Sequence, residues 1–212
     1  MSDNFKLQPI QNWLKKNNWF FYDHQLETLN QSMNGYDILL IAPTGGGKTL
    51  AGFLPSLHDL INNNSPENKL HTLYISPLKA LTIDVHRNLT NPIEDQNLDI
   101  RVETRTGDTS SYKKNRQKNV PPHMLMTTPE SLALLLADIK AKEYFKSLRY
   151  LIIDEIHSLV NTKRGDLLSL NLSRLDTISP NCKRIGLSAT IKNKKSVLNF
   201  LSQKKNQFIT SK

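Results

Sequence analysis

Gly45, Gly46 and Gly47 followed by Lys48 and Thr49, within "LLIAPTGGGKTLAG", are residues whose types and spacing could do chemistry. Glycines at a strand-to-helix exit let backbone N–H groups converge on an anion without Cβ obstruction, and the helix start adds partial positive charge. The stretch Ala42-Pro43-Thr44-Gly45-Gly46-Gly47-Lys48-Thr49 follows an apolar run, Asp37 to Ile41, and precedes a helical pattern. That context is the one a G-x-x-x-x-G-K-[ST] phosphate loop requires, with the single departure that Ala42 stands at its first glycine. In such a loop Lys48 reaches the β- and γ-phosphates of ATP, and the Thr49 hydroxyl can hold Mg2+. A second group supplies carboxylates. The apolar run "RYLII" ends in Asp154-Glu155-Ile156-His157, and in a parallel sheet that end lies at the same edge as the phosphate loop. Asp154 can bind Mg2+, directly or through water, and Glu155 can orient and deprotonate a water attacking the γ-phosphate. An isolated Asp-Glu after a strand reads as a solvated loop. Beside a phosphate loop it reads as a hydrolytic site, so the chain is expected to consume ATP rather than merely hold it.

The elements that must position these groups follow from hydrophobic periodicity. Short apolar runs at Ile38 to Ala42, Leu73 to Ile75, Ile100 to Val102, Met124 to Met126, Leu151 to Ile153 and Ile185 to Leu187 are separated by helical patterns such as "LAGFLPSLHDLI" and "SLALLLADI". Runs that are apolar on consecutive positions suit a parallel sheet covered on both faces. The expected fold is α/β, a doubly wound parallel sheet. Ahead of the first strand, Phe5 to Asn18 and Gln25 to Met33 suggest a helical extension over residues 1–35, with the ATP-binding lobe over 36–212. The segments 62–68 ("NNNSPEN") and 110–122 ("SSYKKNRQKNVPP") are polar surface stretches.

Composition narrows the function class. The 212 residues carry 28 Lys+Arg against 19 Asp+Glu, a net charge of +9, which favours a polyanionic partner, nucleic acid first. No apolar run approaches the roughly 20 residues of a membrane span, and Asp3 and Lys6 interrupt the opening residues where a signal peptide needs an apolar stretch. The chain is expected in the cytoplasm, with no membrane partner. Cys182, the one cysteine, reads as a small residue at a strand start and takes no role. The basic run Lys113, Lys114, Arg116 and Lys118 reads first as a solvated helix face and second as a rim for DNA phosphates.

Together, "APTGGGKT" and "DEIH" resemble the DExH-box helicases of superfamily 2, whose other short motifs stand here in order: "ISPLKAL", "RTGD", "TTPESL" and "LSAT". The longer strings "GFLPSLHDL", "LHTLYISPLKAL", "RVETRTGDT" and "TKRGDLLSLNLSRL" resemble the large-helicase-related group, and within it the bacterial ligase-associated DEXH-box helicases, implicated in DNA repair. The resemblance implies a P-loop NTPase lobe of RecA-like fold, ATP as the nucleotide, Mg2+, and a single strand of DNA as partner. It also implies that Gln25 reads the adenine edge beside Trp19, Phe20 or Tyr22, although a Gln in "YDHQLETL" could equally be an ordinary helix residue. Pro77, Leu78 and Lys79, Arg105 and Gly107, and Thr128, Pro129 and Glu130 would grip the strand. Pro77 and Pro129 could also simply begin helices. Lys79 and Arg105 would supply charge without base reading. Ser188 and Thr190 would link nucleotide state to lobe movement, with His157 touching that relay rather than a metal.

Thr190 is followed by 22 residues with no resemblance to the second RecA-like lobe, whose arginine stabilises the transition state in this family. The chain therefore reads as half of a motor. The alternatives are a nucleotide-gated binding module without useful turnover, or an RNA helicase. Were the chain fully active by itself, Arg164 and Arg184 would be the first candidates for the missing arginine.

Overall fold

Inner strands rich in Ile, Leu and Met leave neither face fit for water, and here they assemble with more polar edge strands into one parallel sheet with helices on both faces. The computed structural model describes residues 7–63, 68–191 and 193–211. Helices α1 (Gln8–Lys16) and α2 (Asp23–Met33) precede β1 (Asp37–Ile41). Then follow α3 (Lys48–Asn62), β2 (Thr72–Ile75), α4 (Lys79–Asp95), β3 (Val102–Arg105), α5 (Ser111–Asn119), β4 (Met124–Thr127), α6 (Pro129–Leu136) and α7 (Ala141–Phe145). Last come β5 (Tyr150–Ile153), α8 (Lys163–Ile178), β6 (Lys183–Ser188), α9 (Lys194–Leu201) and β7 (Asn206–Thr210).

The sheet runs β3-β4-β2-β5-β6-β1-β7, with parallel pairing between neighbours. Successive side chains alternate between two cores, as strand geometry demands. Ile38, Leu40, Met124, Met126 and Ile152 join the core under α1 to α4. Leu39, Leu125, Leu151 and Ile153 join the core under α6 to α9. The doubly wound expectation is met. The helical extension shares the first core through Leu7, Ile10, Leu14 and Leu29 rather than standing apart.

This strand order sorts the loops at the carboxyl edge. The ends of β1, β6 and β5 carry the phosphate loop, Ser188 and the Asp154–His157 segment; the ends of β2, β4 and β3 carry Pro77–Lys79, Thr128–Glu130 and Arg105–Gly107. The expected nucleotide groups fall on one half of the edge and the expected strand-gripping groups on the other.

Three boundaries differ from the sequence reading. The third strand begins at Val102, where its ladder meets Met124, and not at Ile100, which is buried ahead of it. Strand β7 was not foreseen: as an edge strand against β1 it needs only one paired side, so Asn206 and Gln207 are tolerated. Helix α1 begins at Gln8; the expected start at Phe5, together with Asp3, Lys6 and residues 64–67 of the polar stretch at 62–68, lies outside the described residues.

Arg184 is corrected as a candidate catalytic arginine. It opens β6 at the opposite edge, is buried, and donates to the Leu201 carbonyl (2.7 Å), the Leu172 carbonyl (3.1 Å) and the Asp176 carboxylate (2.7 Å). Its backbone N–H donates to Asp37 Oδ1 at 2.7 Å. Those bonds tie β6, α8 and the end of α9 together. Cys182 is buried beside it, and burial pushes its thiol up to about 12, leaving it an inert core residue. Among the described residues no helix is long and apolar enough to cross a membrane.

Candidate nucleotide and strand-binding edge

The phosphate loop owes its shape to two left-handed glycines, Gly45 (φ 79°) and Gly47 (φ 68°). A Cβ on Gly47 would lie 2.4 Å from Gln25 Nε2, so the position is closed to side chains as well as strained for them. Ala42 fits the first position because its backbone is not left-handed there; its N–H donates to the Ser188 carbonyl at 3.1 Å inside the sheet. Helix α2 braces the loop from outside. Gln25 Nε2 donates to the Gly47 carbonyl (3.0 Å), and a His24 ring nitrogen bonds the Gly46 carbonyl (2.9 Å). Gln25 Oε1 accepts from the Tyr22 N–H at 2.9 Å, and the Tyr22 ring stacks on His24 with centroids 5.4 Å apart. Gln25 is buried with its amide engaged on both sides, so the geometry makes it a brace for the loop.

Lys48 opens α3 and folds onto the second carboxylate: its Nζ donates to Glu155 Oε1 at 3.0 Å, with the two side chains 9% and 27% exposed. Glu155 stands at φ 46°, a left-handed conformation uncommon outside glycine, and this turns its carboxylate off the strand axis towards the loop. Asp154, buried at the end of β5, accepts from the Glu155 N–H (Oδ1, 2.8 Å) and from the Tyr74 hydroxyl (Oδ2, 2.7 Å). Burial pushes the Asp154 carboxyl up, against the lowering effect of those two donors. Tyr74 was missed by the sequence reading. Its hydroxyl is held far above the ordinary phenol range by burial and by Asp154, so it stays a donor. The only signal was a polar-tipped aromatic between two aliphatic residues, Leu73 and Ile75.

Replacing Tyr74 by Phe removes a bond that favours ionised Asp154, so the Asp154 pKa should rise further. If hydrolysis needs the carboxylate, its acid limb should move to higher pH, which a pH–rate profile would reveal; an unmoved limb would dissociate Asp154 from that titration.

Beyond Glu155 a relay leads to the sixth strand. His157 Nδ1 lies 2.7 Å from Ser188 Oγ and 3.3 Å from Glu155 Oε2, and Ser188 Oγ lies 2.7 Å from the Thr190 carbonyl. Ser188 has one proton and gives it to that carbonyl, which makes His157 Nδ1 the donor to Ser188. The expected coupling residues His157, Ser188 and Thr190 are therefore joined by hydrogen bonds, with the His157 ring set beside the Glu155 carboxylate. Among the described residues there is no cluster of three His, Cys, Asp or Glu side chains that would make His157 a metal ligand.

On the other half of the edge, Lys79 opens α4 with its ammonium held by both Asp108 oxygens (2.8 and 2.9 Å), beside Gly107. Leu78 is exposed and Pro77 buried. Thr128 caps α6, its Oγ1 accepting from the Ser131 N–H at 3.4 Å, with Pro129 at the first helical position. Glu130 follows, paired with Arg164 from α8. Arg105 departs from its expected role. It is buried, its Nη1 donates to the Lys114 carbonyl at 2.8 Å, and its side chain straps α5 to the edge strand instead of facing a solvent-borne phosphate. Its apolar surroundings press the guanidinium pKa downwards. The basic run on α5 is largely spent within the fold: Lys114 on the Gly107 carbonyl, Arg116 on Glu103 and Lys118 on Asp138. That favours the bland reading of this run over a DNA rim.

Residues 22–197 match the DEAD/DEAH box helicase family. The chain is 41% identical over 207 residues to the ATP-dependent helicase Lhr-Core of Methanocaldococcus jannaschii, covering 92% of this chain and 24% of that protein. It is 42% identical over 190 residues to the Lhr helicase/probable uracil glycosylase of Mycolicibacterium smegmatis, covering 84% of this chain and 12% of that protein. The structure of Mycobacterium smegmatis helicase Lhr bound to ssDNA and AMP-PNP matches with a TM-score of 0.86 at 37% identity, over 98% of this chain and 28% of that one. The chain thus spans about a quarter of the length of the archaeal relative.

Proposed function

The chain belongs to the DEAD/DEAH box helicase family, and we propose that it is the ATP-binding lobe of a helicase that couples ATP hydrolysis to movement along a single DNA strand. The observation that carries this reading is the sorting of six motif loops along one sheet edge, nucleotide groups on β1, β6 and β5 and strand groups on β2, β4 and β3. Residues 36–212 form this lobe. The helical extension over residues 1–35 supplies the adenine end, where Gln25 braces the loop and the exposed rings of Trp19, Phe20 and Tyr22 are available to a base.

Within the lobe, the loop N–H groups of Gly45 to Thr49 cradle the phosphates, and Lys48 exchanges Glu155 for a γ-phosphate oxygen. Glu155 then orients the attacking water and accepts its proton. His157, Ser188 and Thr190 carry the change at Glu155 to the end of β6. Asp154 and Thr49 fit a hard cation: one buried carboxylate with a fixed orientation and one hydroxyl at the loop suit Mg2+, which keeps several waters and shares its sphere with phosphates. Mg2+ there would supply positive charge to the phosphate oxygens and the leaving group.

Lys79, Gly107, Thr128 and Pro129 contact the strand backbone, a sequence-independent grip. DNA is favoured over RNA by the strand in the mycobacterial structure and by the uracil glycosylase in one relative's name. The latter also supports a role in DNA repair, in line with the ligase-associated branch, in the cytoplasm. The partner that completes the cleft is a second RecA-like lobe bearing the catalytic arginine, a contribution of about 10³ or more in phosphoryl transfer.

Hydrolysis measured with and without single-stranded DNA, and with and without a second lobe, tests this. The chain alone should bind single strands weakly and turn over near background; the second lobe should bring strand-stimulated turnover. Turnover by the chain alone at about 1 per second or faster, within the range of complete enzymes, would overturn the lobe reading.

A further inference from the structure

Four of the eight arginines spend guanidinium donors on backbone carbonyls. Arg105 bonds Lys114, Arg184 bonds Leu201 and Leu172, Arg174 bonds Leu136, and Arg101 bonds Pro121. Arg164 does not. Its Nε and Nη2 form a fork on the two oxygens of Glu130, at 2.6 and 3.1 Å, and Glu130 is its one partner among the described residues. Nη1 and the second Nη2 proton have no acceptor among the described residues, and the side chain is 42% exposed. The geometry points to Arg164 as a phosphate-contacting residue for the bound strand, with Glu130 as the residue that positions it.

Three observations place the guanidinium where a strand would pass. Glu130 lies two residues beyond Thr128 in the first turn of α6, on the strand half of the edge. Helix α8 is locked at its start: Thr162 caps it by accepting from the Gly165 N–H (3.1 Å), and a Cβ on Gly165 would fall 2.0 Å from the Leu159 carbonyl oxygen. Arg164 therefore projects from a fixed turn. Further along, Asn171 reaches the Pro129 carbonyl and Arg174 the Leu136 carbonyl, so α8 and α6 hold together as one block. A guanidinium gripped on one side by a carboxylate presents its remaining donors in a fixed plane, which suits the two oxygens of a phosphate. Glu130 by itself would repel a phosphodiester backbone; paired with Arg164 it does not. Arg164 also lies nine residues beyond Glu155 on the same segment, so it joins the hydrolytic carboxylate to the strand half by a short stretch of chain.

This inference rests on the strand-binding reading above, and the measurement separates the two. Binding of a labelled oligothymidine to the chain is followed over a series of salt concentrations. The wild type should bind with affinity that falls as salt rises. Arg164→Ala should bind about tenfold more weakly at low salt, and its slope of log K against log salt should be smaller by about 0.7, the value of one single-strand phosphate contact. Arg164→Gln keeps a donor for Glu130 but no charge, and should show the same smaller slope; it carries the test should the alanine variant melt early. Arg164→Lys should retain most of the slope. A wild-type slope in Arg164→Ala or Arg164→Gln overturns the inference. Absence of salt-dependent binding by the wild type overturns the strand-binding reading itself.

Discussion

Replacing Glu155 by Gln should slow single-turnover ATP hydrolysis by at least about a hundredfold, the lower end of what a positioned general base contributes, while nucleotide binding holds or tightens. The two effects separate because Glu155 does two things. In the proposed mechanism its carboxylate is the base, aimed by a left-handed backbone that an isosteric amide can keep. It also holds the Lys48 ammonium at 3.0 Å, in competition with a γ-phosphate. Gln removes the base and weakens the competitor. Asp154→Asn should behave differently: its fixed partners, the Tyr74 hydroxyl and the Glu155 N–H, remain, but a neutral amide holds Mg2+ poorly, so the metal dependence should shift to higher concentration. Rapid-quench hydrolysis with a second lobe supplied, beside calorimetry with a non-hydrolysable ATP analogue, distinguishes them. Equal binding defects in both variants would show that the two carboxylates do not have separate roles.

Much of this edge was legible in the residues because its chemistry is local. The glycines of the phosphate loop, Lys48 and the Asp154-Glu155 pair each follow directly from a strand end, and a parallel sheet brings all such ends to one edge whatever the strand order. The apolar runs betrayed six strands for the same reason: both faces are buried, so few positions can be polar. What escaped depends on distant partners. Arg105 and Arg164 look alike in sequence, two basic residues near loops; only the tertiary packing makes one a buried strap for α5 and leaves the other with free donors. Tyr74 is a core residue by burial, and its link to Asp154 crosses 80 residues of sequence. Gln25 is expected at the adenine edge, and its amide engages Tyr22 and Gly47, a geometry no spacing rule could supply. Strand β7 was lost because an edge strand needs so little hydrophobic signal.

Lys48→Ala should weaken ATP binding by about a hundredfold or more, the scale of truncating one partner in a charge pair shielded from water. Two causes act in the same direction. The variant loses the one side-chain cation the loop offers to the β- and γ-phosphates, and it strips Glu155 of the ammonium that neutralises it. A bound γ-phosphate would then face an uncompensated carboxylate. The second cause is separable by a double substitution. Lys48→Ala with Glu155→Gln should bind ATP more tightly than Lys48→Ala alone, because the repelling charge is gone although the attracting one is still missing; residues in direct contact are the ones whose effects fail to add. The fold should survive in all three variants, since Lys48 is the first residue of α3, its ammonium bonds only the Glu155 carboxylate among the described residues, and alanine is a good helix former; unchanged thermal melting checks that. Calorimetry with the same ATP analogue reads the affinities. Unchanged affinity in Lys48→Ala would remove the phosphate-loop assignment, and a double variant as weak as the single would mean that the lysine acts on the phosphates alone and that its contact with Glu155 has no bearing on binding.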